Sequence, residues 1–345
     1  MKGVREMRNG ILAACLVSFV AVLAGSNAAL CSDRLFYKEM NLVGGYSDRE
    51  GWIGESSTLA NSVGFEYFKK FSGEYGDYLT VDLQMRAAYD GKEDPGRFWG
   101  LEIHNAWLEH RLGYAAKIRA GHFDPSFGLE PLLDTHGTIL QTLAMKDIGF
   151  TKDWGISLRG SLPRFDYESS IQLGSGMSVR RTDGSFLATG RIGSPANENL
   201  QYGFSLLYGR VLDSEGMRTF PQNKLMSSDV VLKRRIGLDA QYLLGSYLFK
   251  TEVAYGKNDA KAVLGYSTEI DYTFQKYQNW ELELQFQPWI GDLSSSDSDI
   301  STLTLGTSYK LSQNAALRAA VLHDFNMPDG KEDNKVLVQF YWFAL

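Results

Sequence analysis

The sequence predicts an all-β fold: a closed transmembrane antiparallel β-barrel of about 16 strands, with a long loop after strand five folded inward. Three observations predict it. Most of the chain alternates apolar and polar residues, the two-residue period of a strand with one greasy and one wet face. The links between these segments alternate short and long. The N-terminus reads as an export signal, yet no later run is apolar enough for a membrane helix, which needs about 20 residues.

Residues 1–28 carry the signal pattern: Lys2, Arg5 and Arg8, then the apolar run Ile11 to Ala24, then small residues Ser26-Asn27-Ala28 at a cleavage site. Residues 29–345 form a single barrel domain. The chain has a formal net charge of −6, and loss of the signal removes three bases and one acid. That balance excludes a general nucleic-acid binder, which needs a basic surface. Of the 2 cysteines, Cys15 lies in the signal, so Cys31 has no intramolecular partner. Neither a haem attachment motif nor a cysteine pair at zinc spacing is present, and no cofactor or metal is expected.

In order, the strands of the first half fall near 36–44, 57–70, 78–89, 98–111, 114–122, 148–160, 164–174 and 184–193. Leu79, Val81, Leu83, Met85, Ala87 and Tyr89 oppose Thr80, Asp82, Gln84 and Arg86. Phe165, Tyr167 and Ile171 oppose Asp166, Glu168 and Gln172. The segment 98–111 slips phase around Asn105 and Ala106, which predicts a bulge. The second half has 199–212, 230–243, 246–256, 260–272, 276–287, 300–311, 314–325 and 336–345. Leu200, Tyr202, Phe204, Leu206 and Tyr208 share one face, as do Ile236, Leu238, Ala240 and Tyr242. Trp280, Leu282, Leu284 and Phe286 oppose Glu281, Glu283, Gln285 and Gln287, with Trp280 and Trp289 expected near lipid headgroups. The chain ends inside its last strand, as a barrel that must close on its first strand requires.

Counting back from the C-terminus, the links 326–335, 288–299, 213–229, 175–183, 123–147, 90–97 and 45–56 are long, and those between them mostly short. Only 257–259 is short where a long link is due. Short turns at one end and long loops at the other characterise outer-membrane barrels, with turns on the periplasmic side. A Greek-key sandwich has no reason to obey this rule.

The link 123–147 is the longest, and Leu132, Leu133, Ile139, Leu140, Leu143, Ala144 and Met145 make it too apolar to wave in water. It must pack on something, as a constriction in the lumen or a cap on the mouth. Here Gly121-His122-Phe123-Asp124-Pro125-Ser126-Phe127-Gly128-Leu129-Glu130 resembles the G-x-F-x-x-P-F-G-L-E segment of the phosphate-selective porin O and P family, offset by one at the proline. Gly149 to Ile156 is similar to that family's return into the next strand. The resemblance covers about 35 residues and implies a sixteen-stranded porin whose loop narrows the lumen, and a homotrimer. It does not carry phosphate selectivity, which depends on a ladder of arginines and lysines.

The polar strand phase contains no such ladder: bases such as Arg86, Lys117, Arg119 and Arg159 are outnumbered by acids including Asp166, Glu168, Glu281 and Glu283. Asp124, Glu130 and Asp134 in the loop, with His136, complete the candidate pore and constriction residues. Arg86, Lys117, Arg119 and Arg159 are placed to form a basic stripe facing the loop carboxylates; the alternative is that each pairs with a neighbour on the wall. The expected function is a water-filled channel in the cell outer membrane for passive diffusion of small ions or hydrophilic solutes, in contact with outer-membrane lipid. The alternative is a barrel sheath around a cytochrome in an electron-transfer conduit. No nucleophile–base motif points to an enzyme.

Overall fold

A computed structural model describes residues 34–54, 59–74, 76–89, 99–134, 137–179, 184–212, 219–220, 230–295, 299–327, 330 and 332–344. The strands are β1 (Arg34–Ser47), β2 (Gly51–Ile53), β3 (Asn61–Gly73), β4 (Gly76–Tyr89), β5 (Trp99–Arg111), β6 (Lys117–Phe123), β7 (Asp153–Leu162), β8 (Phe165–Gln172) and β9 (Phe186–Gly193). They continue as β10 (Leu200–Leu212), β11 (Val230–Leu244), β12 (Tyr247–Asn258), β13 (Lys261–Thr273), β14 (Trp280–Ile290), β15 (Asp299–Ser312), β16 (Ala315–Phe325) and β17 (Asp333–Ala344). Each strand from β3 onward pairs antiparallel with the next. β1 closes the ring, pairing with β3 from Arg34↔Lys69 to Asn41↔Ser62 and with β17 from Lys38↔Ala344 to Ser47↔Lys335. Sixteen strands therefore make the barrel, and the three-residue β2 lies outside the ring on the end of β1.

Closure explains why alternating strands suffice without a soluble core: in hydrocarbon every backbone N–H and C=O needs a partner, and only a ring leaves no edge. Outward side chains such as Leu206, Tyr208, Ile236, Leu238, Leu284 and Leu305 are exposed, while their sequence neighbours Ser205, Leu207, Arg235, Gly237, Gln285 and Gly306 turn inward and are buried. Aromatic pairs mark both rims. Trp280 meets Tyr309 and Tyr247 meets Tyr272 at the turn end, while Tyr89 meets Trp99 and Tyr46 meets Trp52 at the loop end. Such girdles sit at headgroup level. No helix among the described residues is long and apolar enough to cross a membrane.

All sixteen expected ring strands occur, and 259–260 is the short link on the long side. Four details differ. β7 begins at Asp153 rather than 148, because Ile148 and Phe150 are buried parts of the preceding loop. β3 begins at Asn61, since Leu59 and Ala60 are buried beside that loop. The β5 bulge falls on His104, where Gln84 pairs with Asn105 but Met85 with Ile103. Trp289 shares the phase of Gln285 and Gln287, so it points into the lumen, 9% exposed, away from any headgroup. Phase outranks residue type there, because the loop supplies an apolar partner. Leu345 lies outside the described residues, as do residues 1–33 and hence the expected signal.

Candidate functional site

The long link after β6, the fifth strand of the ring, folds into the lumen. Three glycines at positive φ, Gly128, Gly137 and Gly149, turn its backbone, and Gly121 precedes it within β6. At two of the three an added side chain would meet a neighbour. A Cβ on Gly128 would sit 1.7 Å from Glu252 Oε1, and one on Gly137 would sit 2.9 Å from the Tyr341 ring. Between them runs a short 3-10 turn, Glu130–Leu132, and after them a single helical turn, Ala144–Asp147.

Apolar side chains hold the loop to the inner wall of β9 to β17. Phe127, Leu143, Ala144, Ile148 and Phe150 pack with Leu187, Leu207, Val211, Ala254, Val263 and Trp289. Ile139 and Leu140 pack with Val43, Leu59, Ala320 and Leu337. The wall makes room through glycines: Gly237 faces the Phe127 ring, Gly265 faces Leu143 and Trp289, and Gly306 faces Leu140. Burying Phe127, Leu143, Ile148 and Phe150 stabilises the docked loop by about 1.5–3 kcal/mol each.

Hydrogen bonds fix the register. Ser126 N donates to Thr189 Oγ1 (2.9 Å) and Gly128 N to Ser205 Oγ (3.1 Å). Arg318 Nη1 and Gln339 Nε2 both donate to Gly137 O, at 2.6 and 2.8 Å. Gln285 Nε2 donates to Gln141 O (2.9 Å). Lys146 Nζ reaches Gln287 O (3.0 Å) and Thr302 Oγ1 (2.9 Å). The C-terminal end of the helical turn, where carbonyls lack helical partners, is met by cations. Lys233 Nζ donates to Asp147 O (3.1 Å) and Ile148 O (2.7 Å), and the Arg235 guanidinium pairs with the Asp147 carboxylate. Lys152 and Asp124 pair across the loop's base at 2.5 Å.

Two loop groups are displaced from their ordinary ionisation by these surroundings. Burial, reinforced by the Asp124 carboxylate, pushes Glu130 up to about 8, although the Thr142 hydroxyl donates to it. Burial lowers Lys146 to about 8, against the pull of Asp324.

The expected pore residues distribute as follows. Arg86 pairs with Glu102 and Arg119 with Glu168, and Arg119 also lies 4.3 Å from the Phe123 ring centroid. Lys117 and Arg159 share Glu109, at 2.9 and 3.5 Å. Each of the four cations thus closes on a wall carboxylate, while Asp124 meets Lys152 and Glu130 meets Thr142 within the loop. Lys117, Arg159, Asp166 and Glu168 line a cavity of about 330 Å³ between Pro131–Leu132 of the loop and the inner wall of β6 to β9. Asp134 and Glu283 line a smaller one, about 130 Å³, between the loop and β12 to β16. Glu281 lies near the turn-end rim. His136 lies outside the described residues. Arg191, which pairs with Asp239 at 2.5 Å and lines the larger cavity, was not among the expected residues, though it shares the inward phase of Leu187 and Thr189. Glu109 and Lys152 were also missed. No cluster among the described residues is arranged to hold a metal ion.

No protein-family model matches the chain, and no curated protein matches it. Solved structures do. The anion-selective porin from Comamonas acidovorans superposes with a TM-score of 0.65 at 13% identity, covering 91% of this chain and 100% of that one. The trimer form of the Vibrio cholerae outer membrane protein OmpT gives 0.63 at 11% identity, over 91% and 99%. The outer membrane channel DcaP of Acinetobacter baumannii gives 0.58 at 12% identity, over 93% and 99%. At such identities the likeness is one of fold: this chain has the sixteen-stranded barrel of outer-membrane porins.

Proposed function

We propose that the chain is a porin of the cell outer membrane, giving small ions or hydrophilic solutes passive passage beside the inward loop. One observation carries this reading. The loop is fastened to the β9–β17 wall, and a cavity lined by charged side chains remains between Pro131–Leu132 and β6 to β9. Lys117, Arg159, Asp166, Glu168 and Arg191 would line the narrow part of the route. Asp124 and Asp134 would set the charge of the loop beside it, with Glu130 held mostly in its protonated form by burial and Arg86 and Arg119 held on the wall. Acidic and basic rings tune ion preference, and a wall whose cations are paired favours weak selectivity over a strong anion preference.

The same reading includes export by a signal cleaved after Ala28, contact with outer-membrane lipid, and assembly as a homotrimer. The trimer form of the Vibrio structure supports the last of these. Kinship with the phosphate-selective porin O and P family rests on residues 121–130 alone, and phosphate selectivity is not part of the proposal. The cytochrome-sheath alternative draws no support, because the loop occupies lumen that a partner would need. Single-channel recording in planar bilayers, under salt gradients and with added phosphate or small organic acids, tests the proposal. A folded, heat-modifiable barrel that passes no current would end it.

A further inference from the structure

The outer wall carries a charge pattern that solute passage does not use. The strand carboxylates face the lumen apart from Asp77 and Asp299, which sit at strand ends. Strand cations do face outward, and three of them gather at the loop end. Arg210 follows Leu206 and Tyr208 in phase on β10, Arg234 precedes Ile236 and Leu238 on β11, and Lys257 follows Tyr255 on β12; all three are exposed. Arg234 stands directly opposite Lys257. It also stands opposite Tyr208, which places it diagonally from Arg210. Opposed side chains in such a pair have Cβ atoms about 4.5–5.5 Å apart, diagonal ones about 7–8 Å, and like charges so placed repel.

None of the three side chains pairs with a carboxylate among the described residues, and the side-chain contact they show there is the Arg234 guanidinium lying 6.0 Å from the Tyr208 ring centroid. Phe186 and Tyr208, 5.7 Å apart, belong to the same rim, where headgroups lie. Below the triad the wall is aliphatic and aromatic: Phe204, Leu206, Ile236, Leu238 and Val253 face the same way. A cation triad with no carboxylate partner among the described residues, above an apolar wall, fits a ligand with phosphate at one end and acyl chains at the other.

We infer that Arg210, Arg234 and Lys257 form a docking surface for the phosphorylated headgroup of a lipid in the leaflet at the loop end. A second copy of this chain is a poorer fit, because among the described residues its outer wall offers only Asp77 and Asp299 as strand carboxylates. Free phosphate would gain nothing from the apolar wall beneath. The inference rests on the membrane reading of the barrel.

The test is native mass spectrometry of the folded barrel in neutral detergent, titrated with bis-phosphorylated lipid A, the same lipid dephosphorylated, phosphatidylglycerol and inorganic phosphate. The expected result is an adduct with the bis-phosphorylated lipid and none with its dephosphorylated form. Each surface cation is worth about fivefold in affinity, so the R210Q/R234Q/K257Q variant should bind about a hundredfold more weakly. K38Q/K69Q, on the outer wall near the opposite rim, should bind as the parent does. Should the triple variant not fold, R234Q alone must weaken binding about fivefold, and raised salt must release the adduct from the parent protein. Undiminished binding by the variants, equal retention of dephosphorylated lipid or inorganic phosphate, or loss of oligomers with lipid binding intact would each overturn the inference. Conductance is read in parallel: a conducting barrel that ignores phosphorylated lipid removes this surface and leaves the channel standing.

Discussion

Arg235→Met tests how the loop is held. The Arg235 guanidinium is held by four bonds: Nε meets Asp147, Nη1 donates to Arg234 O (3.0 Å) and Lys257 O (2.7 Å), and Nη2 donates to Asn258 Oδ1 (2.7 Å). Its side chain is 0% exposed and that of Asp147 2%. Methionine fills much of the volume but leaves the Asp147 carboxylate buried without a cation, which costs about 3–5 kcal/mol. At about 1.4 kcal/mol per factor of ten, the undocked loop gains two to three and a half orders of magnitude in relative population. Phe127, Leu143, Ile148 and Phe150 still contribute roughly 6–12 kcal/mol between them, so the loop remains docked most of the time. The expected phenotype is therefore a parental main conductance interrupted by frequent brief steps to a larger one. Single-channel recording reads it directly, with heat-modifiable gel mobility as the check that the barrel is intact. Adding Asp147→Leu removes the stranded carboxylate and should quiet the steps. Parental open-channel noise in Arg235→Met would refute the account of the loop as held by this pair.

Gly128→Ala places a Cβ in the Glu252 carboxylate at φ +61, so it should disturb the loop with the barrel intact, read as increased protease cutting between residues 124 and 152. Glu130 has a folded pKa raised to about 8 by burial, so its contribution to loop docking is complete below about pH 4.5 and is lost as pH rises through about 8. Open-channel noise should accordingly grow between pH 6 and 9, and Glu130→Gln should flatten that dependence; a parent channel equally quiet across the range would remove Glu130 from the account. Charge reversal at Lys117 and Arg159 together leaves Glu109 without its cations and should shift the reversal potential towards cation preference, whereas an unchanged potential would move the route away from the larger cavity.

The barrel was legible because a transmembrane strand has few freedoms. Outward residues between the rims must be apolar and inward ones may be anything, so Leu200 to Tyr208 and Ile236 to Tyr242 announce themselves, and the link lengths give the order of turns and loops. The site was less legible, for the same reason read from the other side. The inward phase tolerates Gly237, Trp289, Arg191 and Glu109 alike, so which of them matter depends on the loop lying across them. Trp289 shows the limit: residue type suggested a headgroup anchor, but its phase and the arrival of Leu143 put it in a core. Pairing was equally hidden. Alternation placed Arg119 and Glu168 in the lumen, but their contact spans β6 and β8 and needs the strands in register. The loop itself was visible as an apolar excess between Leu132 and Met145 and its inward fold was expected, but the wall that receives it was not, because that surface is assembled from β9 to β17 together with Val43 of β1. The inner surface of this barrel is thus written in three dimensions: small residues on the far wall admit the loop, and the space left over is lined on the near wall by Lys117 and Arg159, which share Glu109, and by Arg191, which pairs with Asp239.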